Sequence, residues 1–382
     1  LVAAVSGGPD SVALVHLLRA LQARGDLVLA GLAHLNHQLR LDADRDEACC
    51  RQLARDLSLP IIVERVDVRA YAASRHVSLE AAAHDVRYAF FGRARAGHGA
   101  DAVALGHTAD DQAETVLLRL TRGAGARGIG GMHPRVGAVV RPLLDCRRRE
   151  LRTFLDSRGL AYVHDPSNDD VRIPRNRIRA ELVPLLEARF NPRIVEALSR
   201  VAELSRDEQE YLDSAAAAYW DSHAREVESG WAIEATALAA EPVALQRRVL
   251  LHGLGVIVPG RCAEFAHVER ARAVLGGDRA AVELPGSRLE RRGGLLVLRS
   301  RLAPGRPGPS VPRAPFQYTL GIPGEVFVAE AGCTVSAEVH GQAGPEVLAL
   351  PAQQAAVCPL ALVRTGLVVR ARRPGDRLRT ER

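Results

Sequence analysis

The sequence predicts an α/β protein. A layered domain with a parallel sheet comes first, then a helical middle domain, then a small C-terminal domain containing β-strands. Three observations lead there. Residues 1–160 alternate short apolar runs with helix-period segments, the pattern of parallel strands joined by crossover helices. From Asn191 onward chain breakers are scarce and helical spacing dominates. Beyond a Pro/Gly-rich stretch at 303–315 the chain turns strand-rich, with glycine turns. The expected divisions are 1–185, 190–302, a linker at 303–315, and 316–382.

Strands are expected at Leu1–Val5, Leu27–Ala33, Pro60–Val66, Ala102–Leu105 and Val136–Val140. Helices are expected at Ser11–Gln22, Asp46–Leu57, Leu79–Ala96, Asp110–Leu120 and Arg147–Ser157, the last closed by Gly159. Asn191-Pro192 reads as an N-cap and first-turn proline opening a long helix that runs toward Glu228. Two shorter helices follow at Pro242–Gly253 and Cys262–Leu275, then strands at Val282–Leu284 and Leu295–Leu298.

Composition narrows the class. No apolar run reaches the roughly 18–20 residues of a membrane helix, and LVAAV at the start lacks the basic flank and cleavage site of a secretory signal. No membrane partner is expected, and a cytoplasmic location is the default. The six cysteines, at 49, 50, 146, 262, 333 and 358, form no CxxC pair, so a zinc ribbon or iron–sulfur site is not suggested. All 51 Lys-plus-Arg positions are arginine, and the net charge is +6. A codon bias explains arginine over lysine but not the excess charge, which favours a polyanionic partner.

The first turn carries the strongest chemistry. Strand Leu1–Val5 runs into Ser6-Gly7-Gly8-Pro9-Asp10-Ser11 and then a helix. That geometry aims backbone N–H groups and the positive helix end at one point, where a phosphate binds. Gly7 and Gly8 let it approach the main chain. Ser6 and Ser11 add hydroxyl donors, and Asp10 suits Mg²⁺ held between itself and the phosphates. The loop is neither GxxxxGK[ST] nor GxGxxG.

Further residues gather at other strand ends. His34 and His37 follow the second strand, without a third ligand for a metal. Glu80, His84 and Arg87 share a helix face. Gly106-His107-Thr108-Ala109-Asp110-Asp111-Gln112-Ala113-Glu114-Thr115 follows the fourth strand, and Asp111 and Glu114 lie three apart, on one face. Such carboxylates suit a cationic substrate, Mg²⁺, or base chemistry on an amine; first-turn capping is the plainer alternative. Residues 141–180 hold ten arginines against six acidic residues, read as a solvated face or a phosphate-backbone contact.

SGGPDS at 6–11 resembles the PP-loop of the N-type ATP pyrophosphatases. With HLNHQLR at 34–40, Arg87-Tyr88, GHTADDQAET at 106–115, RPLL at 141–144, DPSN at 165–168, RNRIR at 175–179 and RRPGDR at 372–377, the sequence resembles the tRNA(Ile)-lysidine synthase family. The resemblance implies adenylation of the wobble cytidine of a CAU-anticodon isoleucine tRNA by ATP. Free L-lysine then displaces AMP. It implies ATP binding by Ser6, Gly7, Gly8, Pro9, Asp10 and Ser11, with Mg²⁺ at Asp10. It places Asp10, Arg87, His107, Asp111, Glu114 and Arg179 in the catalytic site. We further expect lysine at Arg87, Asp111 and Glu114, and tRNA at Arg175, Arg177 and Arg179. A homodimer is left open. The missing initial Met and the stop at Arg382 leave open whether the chain is whole. The alternative within the superfamily is another tRNA-modifying enzyme such as a thiolase, which would need paired cysteines.

Overall fold

The computed structural model describes residues 1–39, 43–163, 170–227, 230–260, 263–301, 317–320, 324–328, 333–337 and 367–370. The end of the 34–40 motif, DPSN at 165–168, the linker at 303–315, Cys262, Cys358 and the 372–377 motif lie outside them.

The first domain is a three-layer α/β unit. Its strands are β1 (Val2–Ala4), β2 (Gly31–Asn36), β3 (Ile61–Arg65), β4 (Val103–Ala104), β5 (Arg135–Val136) and β6 (Val139–Val140). They stand in the order β3-β2-β1-β4-β6-β5, all parallel except β5, which pairs antiparallel with β6. The fifth expected strand is therefore a hairpin. Gly137, at φ +57°, turns the chain inside the run read as one strand.

The helices are α1 (Pro9–Ala23), α2 (Ala43–Asp56), α3 (Val68–Arg75), α4 (Leu79–Gly97), α5 (Ala109–Thr121), α6 (Ala126–Ile129) and α7 (Arg148–Asp156). Val12, Val15 and Leu18 of α1 pack with Cys50 and Ala54 of α2 and Leu151 and Leu155 of α7 on one face of the sheet. Phe90, Phe91 and Ala94 of α4 cover Val2, Ala33 and Val103 on the other. The chain moves outward from β1 through β2 to β3, then returns to the opposite side of β1 for β4. That reversal opens a crevice at the carboxyl ends of β1 and β4, where open α/β sheets bind ligands.

A helical passage follows: α8 (Pro174–Arg177), a π-helical turn (Ile178–Leu182) and α9 (Val183–Arg189). The long helix α10 spans Ile194–His223, starting later than the Asn191 cap reading. Asn191 Oδ1 instead accepts from Arg193 N–H at 2.9 Å, shaping the turn before the helix. Beyond α10 lie β7 (Arg225–Val227), β8 (Gly230–Glu234), α11 (Ala235–Ala240), α12 (Val243–Ile257), α13 (Phe265–Gly276), β9 (Ala281–Leu284), β10 (Ser287–Arg292) and β11 (Leu295–Ser300). The five strands form an antiparallel sheet, β7-β8-β11-β10-β9, larger than the two strands expected. Its core joins Trp220, Leu238, Val249, Leu254, Val274 and Leu296. Near the end, β12 (Gln317–Leu320) pairs with β15 (Leu367–Arg370), and β13 (Gly324–Val328) with β14 (Cys333–Ala337).

Candidate active site

The phosphate loop is built by local rules. Gly7 sits at φ +82°, a region that disfavours side chains. Gly8 is the N-cap and Pro9 the first residue of α1, where a missing N–H costs nothing. Ser11 Oγ accepts from Ser6 N–H at 3.1 Å and donates to Gly8 O at 2.9 Å, so the two serines close the loop on itself. Gly106, at the end of β4, faces the start of α1: a Cβ there would stand 3.0 Å from Asp10 O. The end of β4 and the start of α1 thus meet through main chain.

Asp10 projects into the crevice. Burial raises its pKa, against the attraction of Arg148. Its Oδ2 accepts from Arg148 Nε at 3.0 Å. Its Oδ1 is buried and has no hydrogen-bond partner among the described residues.

Thr108 caps α5, and Asp111 completes a capping box: Thr108 N–H and Oγ1–H donate to Asp111 Oδ2 at 2.9 and 2.8 Å. The capping alternative is thus real for Asp111, but it uses one oxygen only. Oδ1 faces the crevice and meets Arg148 at 2.9 Å, Arg175 at 3.1 Å and Arg179 at 3.5 Å. Burial alone would raise the Asp111 pKa, but Arg148 and Arg175 outweigh it and bring it to about 2. Glu114, only 1% exposed, is held by Arg179 at 2.7 Å, Arg175 at 2.9 Å and Arg148 at 3.1 Å.

His107 is set by Arg141, whose Nε–H donates to His107 Nδ1 at 3.2 Å while its Nη2 reaches Tyr88 Oη at 3.1 Å. The proton of the ring therefore sits on Nε2. Burial, with the arginines around it, lowers its pKa to about 4. It is a neutral hydrogen-bond donor toward the crevice rather than a ready base.

Arg87 is solvent-accessible and has no hydrogen-bond or ion-pair partner among the described residues. Its charge lies close enough to Arg175, His107 and His37 to bear on all three. His34 Nδ1–H donates to Val5 O at 2.9 Å, which ties the end of β2 to the start of the phosphate loop.

Asp10, His107, Asp111, Glu114, Arg175 and Arg179 thus converge, with Arg87 at the rim. The three arginines expected on tRNA do not form one set. Arg175 and Arg179 turn inward to the carboxylates, because α8 and the π-helical turn lie against α5. Arg177 faces solvent, its Nε–H on Val171 O at 3.1 Å. The Arg147–Arg149 run also divides. Arg147 binds Asp110, Glu187 and Glu196, Arg148 lies in the crevice, and only Arg149, with a side chain 68% exposed, matches the solvated face expected. Arg141, Arg147 and Arg148 are the residues the motif reading left without roles. Their places were visible, Arg141 opening RPLL and Arg147 and Arg148 at the start of a helix, but not their partners.

A family model described as the PP-loop domain matches residues 1–186, and this site is the crevice of a PP-loop protein. The tRNA(Ile)-lysidine synthase of Geobacter sulfurreducens is 44% identical over 308 residues, covering 78% of this chain and 63% of that protein. That of Symbiobacterium thermophilum is 36% identical over 403 residues, covering 99% of this chain and 80% of the relative, and that of Streptomyces coelicolor is 40% identical over 309 residues, covering 78% and 84%. The chain belongs to the tRNA(Ile)-lysidine synthase family. It spans less than two thirds of several relatives it matches, including 60% of the one from Thermus thermophilus.

Proposed function

We propose that this chain uses ATP to adenylate the wobble cytidine of an isoleucine tRNA with a CAU anticodon, and then joins free L-lysine to it. The observation that carries this reading is the meeting of the Ser6–Ser11 loop with Asp111 and Glu114 across one crevice. The loop suits an anion, and the carboxylates opposite it suit a cation.

The chemistry needs both. A carbonyl oxygen of a pyrimidine is a poor leaving group. Its attack on the α-phosphorus expels pyrophosphate and creates a good one. The lysine amine then attacks the ring carbon, loses a proton, and AMP departs. The loop amides and the positive end of α1 hold the triphosphate. Asp10 Oδ1, without a partner among the described residues, fits a divalent cation such as Mg²⁺, since Mg²⁺ sites use one or two carboxylates plus phosphate oxygens. Such an ion would neutralise phosphate charge. Asp111 and Glu114 are the carboxylates that would pair with an ammonium in place of a guanidinium. Asp111, with its pKa near 2, remains an anion throughout. Arg87, at the rim and without a partner among the described residues, suits the lysine carboxylate or a tRNA phosphate. His107 offers Nε2–H to an oxygen in the crevice. Arg177, on the solvent side, suits the tRNA backbone. A cytoplasmic location fits these substrates, and no described helix is long and apolar enough to cross a membrane. A sulfur-carrying reaction is disfavoured at the Cys50 thiol beside the loop, because burial pushes it up to about 12, far from a reactive thiolate.

Incorporation of radiolabelled lysine into an unmodified isoleucine CAU transcript, with ATP and Mg²⁺, tests the reading. Label on that tRNA and not on a methionine tRNA, with AMP and pyrophosphate released, is the expected result. Folded protein that binds ATP yet leaves the transcript unlabelled would contradict it.

A further inference from the structure

On the assignment of Asp10 to the ATP side and of Asp111 and Glu114 to lysine, the ammonium site is already full. A carboxylate has about four lone-pair positions. Asp111 spends Oδ2 on Thr108 N–H and Oγ1–H, and its Oδ1 meets three guanidiniums. Glu114 Oε1 accepts from Arg148 and Arg179, and Oε2 from Arg175 and Arg179. Three arginines balance Asp10, Asp111 and Glu114, so an entering ammonium gains little until one guanidinium leaves.

Arg148 differs from the other two. Among the described residues it alone bridges the sites, with Nε on Asp10 and its two terminal nitrogens on Glu114 and Asp111. Its side chain is 12% exposed, against 37% for Arg175 and 29% for Arg179. The anchor of its backbone is separate: Arg148 N–H donates to Asp110 Oδ2 at 2.7 Å, so the side chain can swing while the start of α7 stays in place. A triphosphate arriving at the Ser6–Ser11 loop attracts that guanidinium, and a divalent cation competes with it for Asp10.

We propose that Arg148 is an interlock that makes lysine binding depend on ATP: without nucleotide it occupies the ammonium position between Asp111 and Glu114, and nucleotide draws it off. Lysine is then admitted only when the tRNA can be activated.

The test is calorimetric titration of L-lysine into the full chain, with and without Mg²⁺ and α,β-methylene-ATP, whose α–β bridge resists cleavage. The wild type should bind lysine at least about tenfold more tightly with the analogue. By linkage, saturating lysine should tighten analogue binding by the same factor, a check that needs no variant. Arg148→Met should bind lysine tightly in both conditions. Arg148→Lys, whose point charge cannot span three carboxylates, should show reduced coupling. Equal lysine affinity with and without bound analogue in the wild type overturns the interlock and leaves the lysine site standing. So does full coupling in Arg148→Met. Absence of lysine binding in both conditions, with the analogue bound, overturns the lysine assignment and the interlock with it.

Discussion

At the scale of single residues, the site runs on buried charges whose partners decide their behaviour. Glu114 is almost fully enclosed and holds three guanidiniums, so its charge is worth more than that of an exposed acid. Glu114→Gln keeps the shape and an acceptor oxygen but removes the charge. Lysine transfer should fall roughly 100-fold or more, while calorimetry should find analogue binding nearly unchanged; wild-type turnover would remove Glu114 from the lysine site. His107 gives a second handle. Its folded pKa is depressed to about 4 from an ordinary value of 6.5, so the stability linked to it is present above pH 6.5 and is lost as pH falls toward 4. Urea unfolding should show a decline across that window, up to about 3 kcal/mol from this residue. His107→Gln, which can still accept from Arg141, should flatten it.

At the scale of elements, the crevice depends on two strand-to-helix turns pressed together. Gly106 leaves little room for a side chain: its Cβ would meet Asp10 O at 3.0 Å and Ser11 N at 3.1 Å, both main-chain atoms. Gly106→Ala must push the start of α1 away from the end of β4. The expected outcome is a loss of about 1–3 kcal/mol in thermal or chemical melts, together with weaker α,β-methylene-ATP binding; unchanged affinity would show that the loop tolerates displacement. The capping box of α5 shows an economy of the same kind. Thr108 and Asp111 begin the helix, and the same bonds fix Asp111 with its second oxygen aimed at the arginines. Helix start and ligand site are one arrangement.

At the scale of the whole molecule, the helical region is fastened to the catalytic domain beside this site. Ala109 and Ala113 of α5 pack against Val195 of α10. Ser205 Oγ–H donates to Ala126 O at 2.8 Å, and Arg206 Nη1–H to Gly130 O at 2.9 Å, so α10 holds the glycine-rich loop around α6. The basic character of the chain is distributed unevenly across this frame. Much of the arginine cluster at 141–180 is spent on internal carboxylates, and Arg177 is among those left facing outward. Arg177→Ala should lower the slope of log Kd against log salt for tRNA by about 0.7–0.9, with lysine and nucleotide affinities unchanged; an identical slope would exclude a phosphate contact at that residue. Arg175→Ala should instead disturb lysine affinity, because its partners are Asp111 and Glu114.

The sequence by itself determined what depends on neighbours along the chain. The alternation of strands and helices, the phosphate loop with Gly7 and Pro9, and the pairing of Asp111 with Glu114 on one helix face all follow from local backbone geometry and a 3.6-residue period. So did the choice of Asp10, His107 and Arg87 as residues of interest, through motifs. The tertiary structure alone decided strand order, and with it the crevice between β1 and β4, because parallel crossovers can place the next strand on either side. It also decided which arginines are structural and which are exposed. Arg147, Arg148 and Arg149 are adjacent and chemically identical in sequence. Helix rotation sends the first two toward carboxylates supplied from distant parts of the chain and the third into solvent, and no local pattern records where those carboxylates will stand.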